Sequence, residues 1–130
     1  MKVKEYLLTT LVSVAIVVLS TIPIPDNPPL GDVPLIDKWV HMIMYGGLTF
    51  VMWVDHVLRL KRKLTCSWGG WMFLYPTALG GMMELVQANL TTCRSGDWID
   101  FEADAVGIAL GMLLCIYLNK LWKERISVRR

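Results

Sequence analysis

The chain has 130 residues, enough for one domain and no second core. It is 55% hydrophobic, carries a net charge of +2, and has 18% charged residues against about 25% in soluble domains. That balance favours a membrane setting and excludes a basic, aromatic-interleaved surface of the kind that tracks nucleic acid.

Four apolar stretches, in chain order, are long enough to cross a bilayer, which takes roughly 20 residues of helix. The first runs from about Tyr6 to Ile24, with only Ser and Thr as polar relief. Lys2 and Lys4 give it a basic start like that of a signal peptide. No small-x-small cleavage site follows, so it reads as an uncleaved span. A stiff connector, Pro23-Ile-Pro-Asp-Asn-Pro-Pro, then blocks helix, because each Pro lacks a donor and restricts its predecessor. The second stretch covers about Trp39 to Leu58, the third about Trp68 to Asn89, and the fourth about Phe101 to Leu118. The expected fold is therefore all-α: a polytopic membrane protein, a four-transmembrane-helix bundle forming one domain over residues 1–130.

Basic residues orient such a bundle. Lys2 and Lys4 precede the first span. Arg59, Lys61, Arg62 and Lys63 separate the second and third, and Lys120, Lys123, Arg125, Arg129 and Arg130 follow the fourth. Eleven of the 13 Lys and Arg residues thus share one side, and both termini are expected in the cytoplasm. Cys66, Cys93 and Cys115 then fall at different depths and lack metal-ligand spacing, so no disulfide is expected. Asp55 and His56, beside Arg59, read as a solvated helix terminus.

Ionisable residues in spans cost roughly 2.5–3.5 kcal/mol each at a helix centre and need an explanation. Asp37, His41 and Tyr45 are spaced i, i+4, i+8 and share one face, with His41 about 6 Å and Tyr45 about 12 Å below Asp37. Glu84 and Gln87 share a face near the outer end of the third span. Gly80 and Gly81 lie one turn below them, and Pro76, where a kink is expected, one turn further. Asp100, Asp104, Gly107 and Gly111 form a single stripe, and the last two make a small-xxx-small surface suited to packing within the bundle or to a homo-oligomer. Glu102 points elsewhere. Topology brings all of these to the outer leaflet, with Lys38, Arg94 and Asp97 beside them.

Three groups, Asp37-Lys38-x-x-His41-x-x-x-Tyr45, Glu84-x-x-Gln87 and Arg94-x-x-Asp97-x-x-Asp100-x-x-x-Asp104-x-x-Gly107, resemble the VanZ-like family pattern in order and spacing. The resemblance covers about Asp37 to Gly111. It implies a multi-pass protein of the bacterial cytoplasmic membrane, and the family's namesake is associated with teicoplanin resistance. It supplies no reaction. Asp104 stands where family members typically have Asn, which weakens any carry-over of role to that position.

Three functions fit these residues. In the first, the pocket binds or modifies an anionic envelope lipid or lipid-linked cell-wall precursor, with consequences for glycopeptide susceptibility. Asp37, Lys38, Tyr45, Gln87, Arg94, Asp97, Asp100 and Asp104 would contact the substrate, and the two cations would hold its phosphate or carboxylate. In the second, His41 and Glu84 serve a membrane-embedded enzyme as acid and base. Ser95 and Thr91 are ordinary loop residues, not nucleophiles. In the third, the chain is a non-catalytic accessory subunit and the cluster only locks the bundle. His41, Glu84, Asp97, Asp100 and Asp104 offer nitrogen and oxygen ligands, yet no HExxH-like spacing joins them, so neither metal nor cofactor is expected.

Overall fold

A computed structural model describes residues 4–22, 35–90 and 98–128. Its elements are α1 (Leu7–Thr21), α2 (Ile36–Trp53), a π-helical turn (Val54–Arg59) continuing α2, α3 (Cys66–Leu90) and α4 (Trp98–Val128). The described residues are all-helical, with no strand. Among the described residues one segment, Trp98–Arg125, is by length and composition long and apolar enough to cross a membrane, and Leu7–Thr21 is a shorter apolar helix. The Pro-rich connector from Pro23 to Pro29 lies outside the described residues, as do Cys93, Arg94 and Asp97.

The apolar stretches and the helices differ in their limits. α1 is shorter than the stretch from Tyr6 to Ile24, while α4 starts before Phe101 and runs well past Leu118. Its Lys- and Glu-bearing end keeps good helix formers, so helix persists where hydropathy stops. α3 runs unbroken through Pro76, whose ring is buried.

α2 lies at the centre: it touches every other helix and packs most closely on α4. Glycines permit that approach. A Cβ on Gly107 would collide with the Met42 backbone, and one on Gly111 would sit 2.8 Å from the Gly46 carbonyl oxygen. A Cβ on Gly46 would in turn meet the Gly107 carbonyl oxygen at 2.9 Å. The Gly107/Gly111 stripe is thus used inside the chain, against α2.

Along the bundle the interior is layered. Two apolar layers occupy the middle: Ile16, Tyr45, Leu48, Leu79 and Ile108 form one, and Met52, Trp53, Val57, Met72 and Cys115 the other. Polar clusters close both ends. α1 joins the core through a stripe of Thr9, Ser13, Ile16 and Ser20, all buried at helical spacing. Leu11, Val14, Ile43, Leu74, Leu85, Leu110 and Leu113 face outward. Polar ends and an apolar outer surface are the reverse of the usual soluble arrangement.

Candidate functional site

One end of the bundle gathers the first turns of α2, the last turns of α3 and the first turns of α4. α2 opens at Leu35, whose left-handed backbone (φ 57°) turns the chain into the helix. Asp37 sits at the exposed rim. Lys38 forms an ion pair with Asp100 across the α2–α4 interface, and its Nζ is 3.8 Å from Asp37 Oδ2. One turn deeper, His41 Nδ1 is hydrogen-bonded to Asp104 Oδ1 at 2.8 Å, and His41 Nε2 lies 3.9 Å from Asp100 Oδ2. The imidazole therefore bridges the two α4 carboxylates. Tyr45 continues the α2 face, its ring parallel to that of His41 with centroids 6.5 Å apart.

α3 completes the site. Glu84 is buried, and an oxygen of its carboxylate lies with His41 and Asp104 atoms in a group whose members are all within 4.8 Å of one another. Gly80 makes the room: a Cβ there would stand 2.8 Å from Asp104 Oδ2 and 3.4 Å from the Tyr45 ring. Gln87, expected to line the pocket with Glu84, is buried and donates to the Ser20 carbonyl at 3.0 Å, so it docks α1 onto α3. Beside the cluster lies a cavity of about 190 Å³ lined by Leu19, Ser20, Asp37, Val40, His41 and Met44. That volume suits a small polar group and falls below the 300–1,000 Å³ of sites for drug-sized ligands.

The structure thus brings together Asp37, Lys38, His41, Tyr45, Glu84, Asp100 and Asp104. It sends Gln87 to a helix junction, and Arg94 and Asp97 lie outside the described residues. Among the described residues the cluster is dominated by carboxylates, and its one ammonium is already engaged with Asp100.

The opposite end overturns an expectation. Asp55 and His56 are not solvated: Asp55 is 0% exposed and His56 7%. The π-helical turn carries both beneath the start of α1. Asp55 Oδ2 accepts from the Thr9 backbone N–H at 2.8 Å and from its hydroxyl at 2.9 Å, and Arg59 pairs with Oδ1. His56 stacks on Trp68 at 4.0 Å and is hydrogen-bonded to the Tyr6 hydroxyl at 2.9 Å. Arg62 reaches Tyr6 and Glu5, and its bond to the Tyr6 hydroxyl, reinforced by the Glu5 charge, raises its pKa further. A larger cavity of about 460 Å³ opens beside Tyr6, Arg62 and Trp68. Thr9, Ser13 and Ser20 on one stripe of α1 were the available signal, since a polar line on an apolar helix implies partners inside the bundle.

No family model, curated protein or solved structure matches this chain. Its function is therefore argued from geometry.

Proposed function

We propose that the chain is a four-transmembrane-helix protein of the bacterial cytoplasmic membrane, both termini inside. In this reading its outer-leaflet site binds or modifies an anionic envelope lipid or lipid-linked cell-wall precursor. The reading accords with the resemblance to the VanZ-like family. The observation that carries it is the convergence of Lys38, His41, Glu84, Asp100 and Asp104 at the bundle end opposite the Lys/Arg-rich one.

The spacing of the two ends supports a membrane setting. At about 1.5 Å per residue, Lys38 and Arg59 lie roughly 31 Å apart along α2 and its π-helical extension, and Asp100 and Lys120 roughly 30 Å apart along α4. A bilayer's hydrocarbon core is about 30 Å thick. The outward Leu, Ile and Val residues occupy the interval between. Reporter fusions at the two termini test the topology: activity confined to cytoplasmic reporters is expected, an external reading at one end overturns four spans, and an external reading at both overturns the orientation.

At headgroup depth, the cavity beside Asp37 and His41 admits a phosphate-sized group while acyl chains lie along the apolar exterior. If the lipid is modified as well as held, His41 and Glu84 are the groups placed to move protons. The binding test is retention of phosphatidylglycerol against phosphatidylcholine by the purified chain. We expect preference for the anionic lipid, lost about tenfold in Lys38→Gln, the worth of one charge-assisted hydrogen bond. Equal retention of both lipids, unchanged by the substitution, rejects the reading.

A further inference from the structure

His41, Glu84 and Asp104 sit at the same level on three different helices, and each is more than nine-tenths buried: 5%, 6% and 1% exposed. A hydrogen-bonding or ligating atom of each lies within 4.8 Å of those of the other two. Two carboxylates buried so close to each other need a positive charge or a shared proton between them. At the rim the Lys38 ammonium meets that need for Asp100. Deeper in, Asp104 uses only one oxygen: Oδ1 is bound to His41, while Oδ2 is buried with no hydrogen-bond partner among the described residues. Gly80 leaves Oδ2 its space, since any Cβ at that position would crowd it.

We infer that His41, Glu84 and Asp104 form a site for a first-row divalent cation of the Zn²⁺ class, approached through the cavity lined by Asp37 and His41. One imidazole nitrogen and two carboxylate oxygens are a donor set that Zn²⁺ accepts, and three protein ligands leave a coordination position open. Bond lengths of about 2.0–2.2 Å put neighbouring ligand atoms roughly 3–3.5 Å apart. The triad closes onto an ion by small side-chain rotations, with Asp104 Oδ2 as its natural ligand atom. The ligands come from α2, α3 and α4, so the ion would also pin three helices together at the end where the site lies. The spacing of these residues along the chain matches no short metal motif, because each helix contributes a single ligand.

The test is a Zn²⁺ titration of the full chain in detergent, freed of any affinity tag and stripped with chelator, with metal content read after gel filtration. We expect one Zn²⁺ per chain. Asp104→Asn and Glu84→Gln preserve size and should each weaken binding at least about tenfold, the lower end of what even an outer hydrogen-bond partner of a metal ligand contributes. Glu102→Gln, exposed on the first turns of α4, should leave the titration unchanged. His41→Ala covers the case in which a carboxylate variant fails to fold, because it deletes a ligand without adding a polar group. Less than stoichiometric Zn²⁺ in the parent chain, or parent-like affinity in the folded ligand variants, overturns the site. No lipid is present, so failure here leaves the headgroup reading standing.

Discussion

The two polar ends of the bundle, called inner and outer after the proposed topology, use the same residue types and do different things with them. At the inner end Asp55 is saturated: two donors from Thr9 meet one oxygen and Arg59 meets the other. At the outer end Asp104 is equally buried, yet among the described residues only one of its oxygens is engaged. A carboxylate whose lone pairs are filled by the chain's own donors is a fastener. One with a buried oxygen left over costs stability unless something outside the chain completes it. The engagement of the oxygens separates an element of the fold from an element of function more sharply than burial does, since Asp55 and Asp104 are equally buried.

Asp55→Ala should break the inner end and give the larger effect. It orphans the buried donors of Thr9, at about 1–3 kcal/mol each, and frees Arg59, whose half-exposed head recovers solvation and adds little. A loss of roughly 3 kcal/mol is expected, read as a lowered thermal midpoint in detergent, with α1 becoming the first helix to exchange its amide protons. A midpoint within a degree of the parent would mean that Asp55 fastens nothing. The contrast between the two ends would then fail.

The outer end was the more legible in sequence. Asp37, His41 and Tyr45 at i, i+4, i+8, and Asp100, Asp104, Gly107 and Gly111 on one stripe, announce a face by helical geometry alone, and the structure puts both stripes at the α2–α4 interface. Glu84 is assigned to the same level because the expected helices alternate in direction. The inner end is less legible because burial there depends on a partner 46 residues away: nothing near Asp55 in sequence says that Thr9 will cover it. A helical wheel continued from α2 puts Asp55 and His56 on the buried arc of Tyr45, Leu48 and Met52, a signal that the adjoining run of Arg and Lys from Arg59 to Lys63 obscures. Gln87 lies on the expected face, and its bond to the carbonyl of Ser20, a residue lining the cavity, depends on the docking of α1, which no local spacing announces.

A smaller effect sharpens the comparison at the outer end, where adjacent glycines offer an internal control. Alanine at a helical glycine gains about 0.5–1 kcal/mol of stability from reduced unfolded-state freedom. Gly81→Ala should show that gain, since its Cβ would meet only the Phe101 ring at an ordinary 3.5 Å. Gly80→Ala should show little or none, because its Cβ would stand 2.8 Å from Asp104 Oδ2 and the carboxylate must turn away. The obstacle is the end of a side chain, not backbone, so the fold survives and the difference between the two variants, about 1 kcal/mol, reports the displacement of Asp104. The imidazole nitrogens of His41 supply the second readout. Their ¹⁵N shifts should move in Gly80→Ala as the bond to Asp104 is disturbed and stay in place in Gly81→Ala. Identical midpoints and identical shifts in the two variants would mean that Asp104 is not held against α3, and the three-helix site would lose its third wall.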